Sequence, residues 1–314
     1  MRYTPRIACS AVLKLFLAVS VAKAGQSDQR LLQLVPPGAN VVGAMSASAH
    51  PGQPDSFFLL THGNSLDLED FLALTGVDDS RRIHQVLFVS GGSGPTDQAE
   101  HSLLVSGQFD EHRIFKAALE NGASKREWRG LGVLLVPPFA REKGMVPQSR
   151  WLVVLAATMA ILGTETSVRE ELNRAFAGSA PDASLIQKRS HLRPDDDAWC
   201  MVKALPIKGE IRRSLYAIDP TLPGLLHDGD GFEFGFRYGA RVEFEYEITT
   251  ADNSTDSISY AIARSLLGKG KASVVVPRHS GGGHIHRLKV SKARYEAWLT
   301  EVAARRRATD LPSK

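Results

Sequence analysis

Cysteine is nearly absent from this chain. Of 314 residues only Cys9 and Cys200 are cysteines, and Cys9 lies in an N-terminal stretch that reads as removable. A single thiol cannot close an intramolecular bridge, so a disulfide-stapled scaffold is excluded. Cys200 sits in the apolar run Trp199-Cys200-Met201-Val202, the setting of a buried, inert thiol. Long apolar runs are lacking too. Trp151–Leu162 comes nearest, but a helix needs ~20 residues to cross a bilayer, so it reads as buried strand. An excess of one charge is also missing. Lys and Arg number 38 and Asp and Glu 34, but residues 1–24 hold four bases (Arg2, Arg6, Lys14, Lys23) and no acid. The remainder is balanced, so the basic balance of the whole chain is a targeting feature and argues for neither nucleic acid nor anionic membrane as partner.

The familiar signatures of catalysis are missing as well. No G-x-S-x-G elbow is present, and Ser65 after His62-Gly63-Asn64 reads as a helix cap. Gly268-Lys269-Gly270-Lys271 lacks the spacing of a phosphate-binding loop, and no dinucleotide fingerprint follows a strand and opens a helix. Lys125-Arg126-Glu127-Trp128-Arg129 mixes bases with one aromatic, but its length and its acid suit a solvated edge better than an RNA surface.

What is present begins with an export signal. A basic start, the apolar run Leu15–Val21 and the small-x-small triplet Ala22-Lys23-Ala24 predict a signal peptide over 1–24, with Gly25 as the new terminus. Cys9 precedes the apolar core and is not placed as a lipid-attachment cysteine. The protein is thus expected in the periplasm or outside the cell.

The stretch Ile83–Gly122 then predicts strand, loop, strand, helix. Ile83–Val89 is mostly apolar, Gly91-Gly92-Ser93-Gly94-Pro95 breaks it, and His101–Phe109 resumes. Asp110 can cap a helix whose apolar residues are Ile114, Phe115, Ala118 and Leu119, with Gly122 at its end. Phe232–Gly268 repeats the pattern. Phe232, Phe234 and Phe236 alternate with Glu233, Gly235 and Arg237; Val242, Phe244, Tyr246 and Ile248 alternate with Glu243, Glu245 and Glu247. This predicts a hairpin with one buried and one wet face, followed by a helix ending at Gly268.

Flanking strands and helices extend the echo. They include a strand at Ala272–Val276 and helices at Ser65–Thr75, at Ser167–Phe176 behind a Ser167/Glu170 capping box, and at Ser291–Ala304. The fold class expected is α+β: two similar halves of order β-α-β-β-α-β-β-α, with mainly antiparallel sheets and helices packed on one face. Domains are expected at 25–183 and 184–304, with a basic, frayed tail at 305–314.

Four stretches could carry chemistry. His279, His284 and His286 surround a Gly-rich loop and could hold zinc; the plainer reading is a polar hairpin loop. Asp195-Asp196-Asp197 could hold a hard cation, or be a solvated junction. Asp228-Gly229-Asp230-Gly231 has part of a calcium loop's acids but not its distal Glu, and reads as a turn. Glu243, Glu245 and Glu247 could do acid–base work, but their period of two first predicts the wet face of a strand.

Leu31-Leu32-Gln33-Leu34-Val35-Pro36, Leu68-Glu69-Asp70-Phe71 leading to Thr75-Gly76-Val77-Asp78, and Ser106-Gly107-Gln108-Phe109-Asp110 together resemble uncharacterised exported bacterial proteins with duplicated α+β halves. The resemblance implies an exported protein and supplies no catalytic residues. The function expected is non-catalytic binding of a protein or small-molecule ligand in the envelope or outside the cell, without nucleic acid and with no catalytic cofactor. The alternative is a metal-assisted hydrolase built on the His279/His284/His286 loop.

Overall fold

The computed structural model describes residues 29–46, 68–77, 82–91, 100–137, 150–204, 209–250, 255–268, 278–280 and 283–310. The expected export signal, Ser65 and the strand expected at 272–276 lie outside the described residues. The chain forms two compact units, each an α+β assembly on a largely antiparallel sheet.

The first unit holds helix α1 (Gln29–Leu34); strand β1 (Ala39–Ser46) follows it in the chain but belongs to the second unit. It continues with α2 (Leu68–Thr75), β2 (Ile83–Gly91), β3 (Glu100–Gly107), α3 (Glu111–Glu120), β4 (Ser124–Trp128), β5 (Leu131–Val136), β6 (Arg150–Leu155), β7 (Met159–Thr164) and α4 (Glu165–Ala177). Its strands lie in the order β2-β3-β7-β6-β5-β4.

Helices cover both faces of this sheet, not one. The aligned row Ser102, Gly163, Trp151 and Leu135 faces α4, where Ser102 Oγ donates to Glu171 and the Arg169 guanidinium lies 4.9 Å from the Trp151 ring. On the other side, a Cβ added at Gly132 would come within 3.1 Å of Phe115 of α3. A strand buried on both faces has no polar alternation, and every residue of β6 is buried.

Local signals explain most of the helices. Asp110 caps α3 by accepting from Arg113 N at 3.1 Å, and Ile114 and Ala118 are buried beneath it. In α4 the cap is Thr164 rather than Ser167. Thr164 Oγ1 accepts from Ser167 N, so the expected capping box starts one turn late. Leu31, Leu32 and Leu34 are buried within a helix, α1. Trp151–Leu162 is two strands folded at Ala156 and Ala157, both at positive φ. The Lys125–Trp128 stretch is an exposed edge strand, β4, as its charges suggested.

The second unit adds to β1 the elements α5 (Ala183–His191), β8 (Ala198–Val202), α6 (Gly209–Ile218), α7 (Leu222–Leu225), β9 (Gly231–Tyr238), β10 (Val242–Thr249), α8 (Thr255–Leu267), β11 (Arg278–Ser280), β12 (Gly283–Val290) and α9 (Lys292–Asp310). The strand order is β11-β12-β10-β9-β8-β1, antiparallel throughout. Val41 pairs with Val202 and Met45 with Ala198, so β1 joins this sheet beside β8.

One face is aromatic. Phe236 and Phe244 pack against Tyr295 and Trp298 of α9 at ring distances of 5.5–6.3 Å. Trp298 Nε1 donates to Ser265 Oγ at 2.9 Å, tying α9 to α8. The expected frayed tail is helical as far as Asp310. Cys200 is buried and free, and burial pushes its thiol up to about 12. No helix among the described residues is long and apolar enough to cross a membrane.

Candidate functional site

The second face of that sheet carries the polar half of each alternating strand. The antiparallel register aligns Arg237, Glu243 and Lys289 in one row, Gly235, Glu245 and Arg287 in the next, and Glu233 beside Glu247 in the third. This face was expected to be wet, and it is not. Glu245 is 0% exposed, Glu233 3% and Glu247 8%. Nor is β10 an edge, since β9 and β12 flank it. The cover is α5 and the segment after it, where Arg193, Asp195 and Asp196 reach over the strands.

Burying charges is costly unless each is paired, and most of this face is. Glu243 binds Arg193, Arg237 at 3.1 Å and Lys289 at 2.9 Å. Those cations, Lys289 foremost, hold its carboxyl down at about 2. Glu245 accepts from the Arg193 backbone N–H and from Arg287 Nε at 3.0 Å, and forms an ion pair with the Arg193 guanidinium at 3.1 Å.

The three expected loop aspartates diverge to separate partners. Asp195 pairs with Arg237, and Asp197 Oδ2 accepts from Tyr238 N at 2.6 Å. Asp196 is buried rather than solvated. Burial, and then the neighbouring Glu245 carboxylate, push the Asp196 carboxyl upward. It lies directly over Gly235, where an added Cβ would sit 3.0 Å from both Asp196 Cγ and Glu245 Cγ. Glycine is the residue that admits this close approach.

The third row is different. Glu233 and Glu247 are like charges set directly opposite, an unfavourable cross-strand pair. Two groups from α5 offset them. Lys188 Nζ lies 2.9 Å from Glu233 Oε1, and His191 Nδ1 lies 3.2 Å from Glu247 Oε2 and 3.5 Å from Glu233 Oε2. A single imidazole nitrogen can donate one hydrogen, so it cannot serve both oxygens. Glu233 Oε2 is buried and takes no hydrogen bond. The His191 side chain is 32% exposed, which opens this corner to water.

Comparison with known proteins gives a fold and nothing more. No family model and no curated protein matches the chain. The fold is similar to the solved structure described as "Structure of crystal form I of TP0453", with a TM-score of 0.50 and 11% identity, over 86% of this chain and 96% of that one. At that identity the likeness concerns the fold alone.

The histidines singled out from the sequence fall elsewhere. The β11–β12 register sets His279 opposite His284, but the side chains of both lie outside the described residues. His286 is buried, with Nε2 3.0 Å from Ser259 Oγ and its ring stacked at 5.1 Å on Tyr246. It faces the aromatic, α8-covered side of the sheet. Asp228-Gly229-Asp230-Gly231 is the turn expected, closed by Asp230 Oδ2 on His227 N at 2.7 Å.

Lys188, Glu233 and His191 were not recognised beforehand. The one available signal was that Glu233 and Glu247 alternate on strands joined by a tight hairpin. In the first unit a cleft of about 130 Å³ is lined by Arg82, Asp110 and Arg113 among others. The Asp110 carboxylate there already caps α3.

Proposed function

We propose that this is an exported, non-catalytic binding protein that takes a small-molecule, ionic or protein ligand in the periplasm or outside the cell, and that the Lys188–His191–Glu233–Glu247 corner is where ligand chemistry resides. One observation carries this reading. Two buried carboxylates stand side by side on rigid strands, incompletely paired and within reach of water past a half-exposed histidine. A carboxylate face that served only to fasten α5 would gain from pairing every oxygen, as it does around Glu243.

Export is supported by residues 1–24, and the charge balance of the remainder argues against nucleic acid. In this reading the halves are versions of one plan, β-α-β-β-α-β-β-α, with α1, β4, β5, α5 and α7 as additions. The recurrence of hairpin then helix in β2–β3–α3 and β9–β10–α8 supports this.

The test is native mass spectrometry of the protein purified from its own envelope or culture fluid. A chain starting at Gly25 with a bound species, or cross-linked to a partner, is the expected result. A chain that retains residues 1–24, or one with neither adduct nor partner, overturns the reading.

A further inference from the structure

We propose that His191 Nδ1, Glu233 Oε2 and Glu247 Oε2 form a site for one divalent cation of the borderline first-row class, with Zn²⁺ preferred over Ca²⁺ or Mg²⁺. This narrows the ligand of the binding protein argued above and rests on that reading of the corner.

Geometry is the first argument. The three atoms lie within 4.8 Å of one another. Ligands about 2.0–2.1 Å from a tetrahedral ion stand about 3.3 Å apart. The two separations from the imidazole, 3.2 and 3.5 Å, bracket that value.

Valence is the second. Glu233 Oε2 is a buried carboxylate oxygen with no hydrogen bond, aimed at the same imidazole nitrogen that faces Glu247. An N–H can satisfy one of these oxygens, whereas a cation between them bonds both and cancels the repulsion of the cross-strand pair. Lys188 on Glu233 Oε1 leaves Oε2 free and fixes the carboxylate's orientation, as an outer partner of a metal ligand does.

Ligand type is the third. One imidazole nitrogen with two carboxylates suits zinc and its neighbours; calcium and magnesium favour oxygen alone. Three protein ligands leave a fourth position, on the exposed side of His191, for water or a ligand atom.

The experiment strips the exported protein with a chelator and titrates ZnCl₂ by calorimetry, with MgCl₂ and CaCl₂ in parallel. Cobalt absorption reads the coordination geometry. The expected result is one zinc per chain, tetrahedral cobalt bands, and no comparable binding of magnesium or calcium. His191→Ala, at a half-exposed position, and Glu247→Gln should each weaken zinc binding by at least about tenfold while keeping the wild-type circular dichroism. If Glu247→Gln fails to fold, His191→Ala alone decides. Absence of binding, or binding that survives His191→Ala, overturns the proposal. An organic adduct in the native mass spectrum of a zinc-indifferent protein also overturns it, yet leaves the binding-protein reading standing. Absence of any adduct or partner overturns that reading instead.

Discussion

Glu171 shows how one side chain can set a pH dependence. It lies on α4 with no exposure, takes one hydrogen bond from Ser102, and has a second oxygen without any. Burial dominates and pushes its carboxyl up to about 8, against the Ser102 hydrogen bond that lowers it. Between about 4.5 and 8 the unfolded chain has released this proton and the folded chain still holds it. The unfolded state then binds fewer protons, so stability falls as pH rises through that window. Glu171→Gln cannot ionise, so its stability relative to wild type should grow by ~1.4 kcal/mol per pH unit across the window. Urea unfolding at pH 5, 6, 7 and 8 measures this, and parallel curves for the two proteins would refute it. Gly235 is the other decisive residue. Gly235→Ala drives a methyl into Asp196 and should cost on the order of 1–3 kcal/mol. Asp196→Ala in the same chain should recover part of the loss, a coupling that a double-mutant cycle reads directly.

Among the elements, the β6–β7 hairpin carries the plainest conflict between sequence and conformation. Thr158 N bonds Leu155 O across two alanines at φ 50° and 58°. This turn twists with its strands but asks for residues tolerant of the left-handed region, such as Asn-Gly. Ala156→Asn with Ala157→Gly should raise the urea midpoint by about 1 kcal/mol of stability with an unchanged slope. A lower midpoint would mean that the alanine methyls pack in a way the turn geometry does not reveal. Helix α5 shows the opposite case, an element the sequence hid. No helix was expected at Ala183–His191, whose surface is polar, yet that surface is what binds the buried carboxylates. Hydrophobic periodicity cannot reveal a helix that packs through ions.

For the whole molecule, chain order and unit membership part company. β1 follows α1 in sequence but pairs with β8, more than 150 residues later. Asn40 Nδ2 adds to the same join by donating to Ala204 O at 2.7 Å. A fragment Gln26–Ala183 therefore keeps β1 and loses β8, leaving open the strand edge that pairs with Val202 and Ala198 in the intact protein. That fragment should sediment as oligomers or aggregates. A monodisperse monomer with a cooperative melt would show that β1 is dispensable to the first unit.

Legibility divides along the same lines. The Ile83–Gly122 and Phe232–Gly268 segments, the Asp110 cap and the inert Cys200 could be read in advance, because each rests on neighbours a few residues away. The alternation of Glu243, Glu245 and Glu247 also established that they share one face. What that face meets was beyond it, since a period of two separates the sides of a strand without saying what covers either. Arg193 and His191 arrive from about 50 residues upstream to bury those acids. The sequence by itself thus determined an α+β chain of hairpins and helices, with a basic start and a cysteine, Cys200, inside an apolar strand. Only the tertiary structure decided that helices cover both faces of each sheet and that β1 belongs with β8. It alone brought His191, Glu233 and Glu247 to one point, because these outcomes depend on pairings between distant segments that no local pattern encodes.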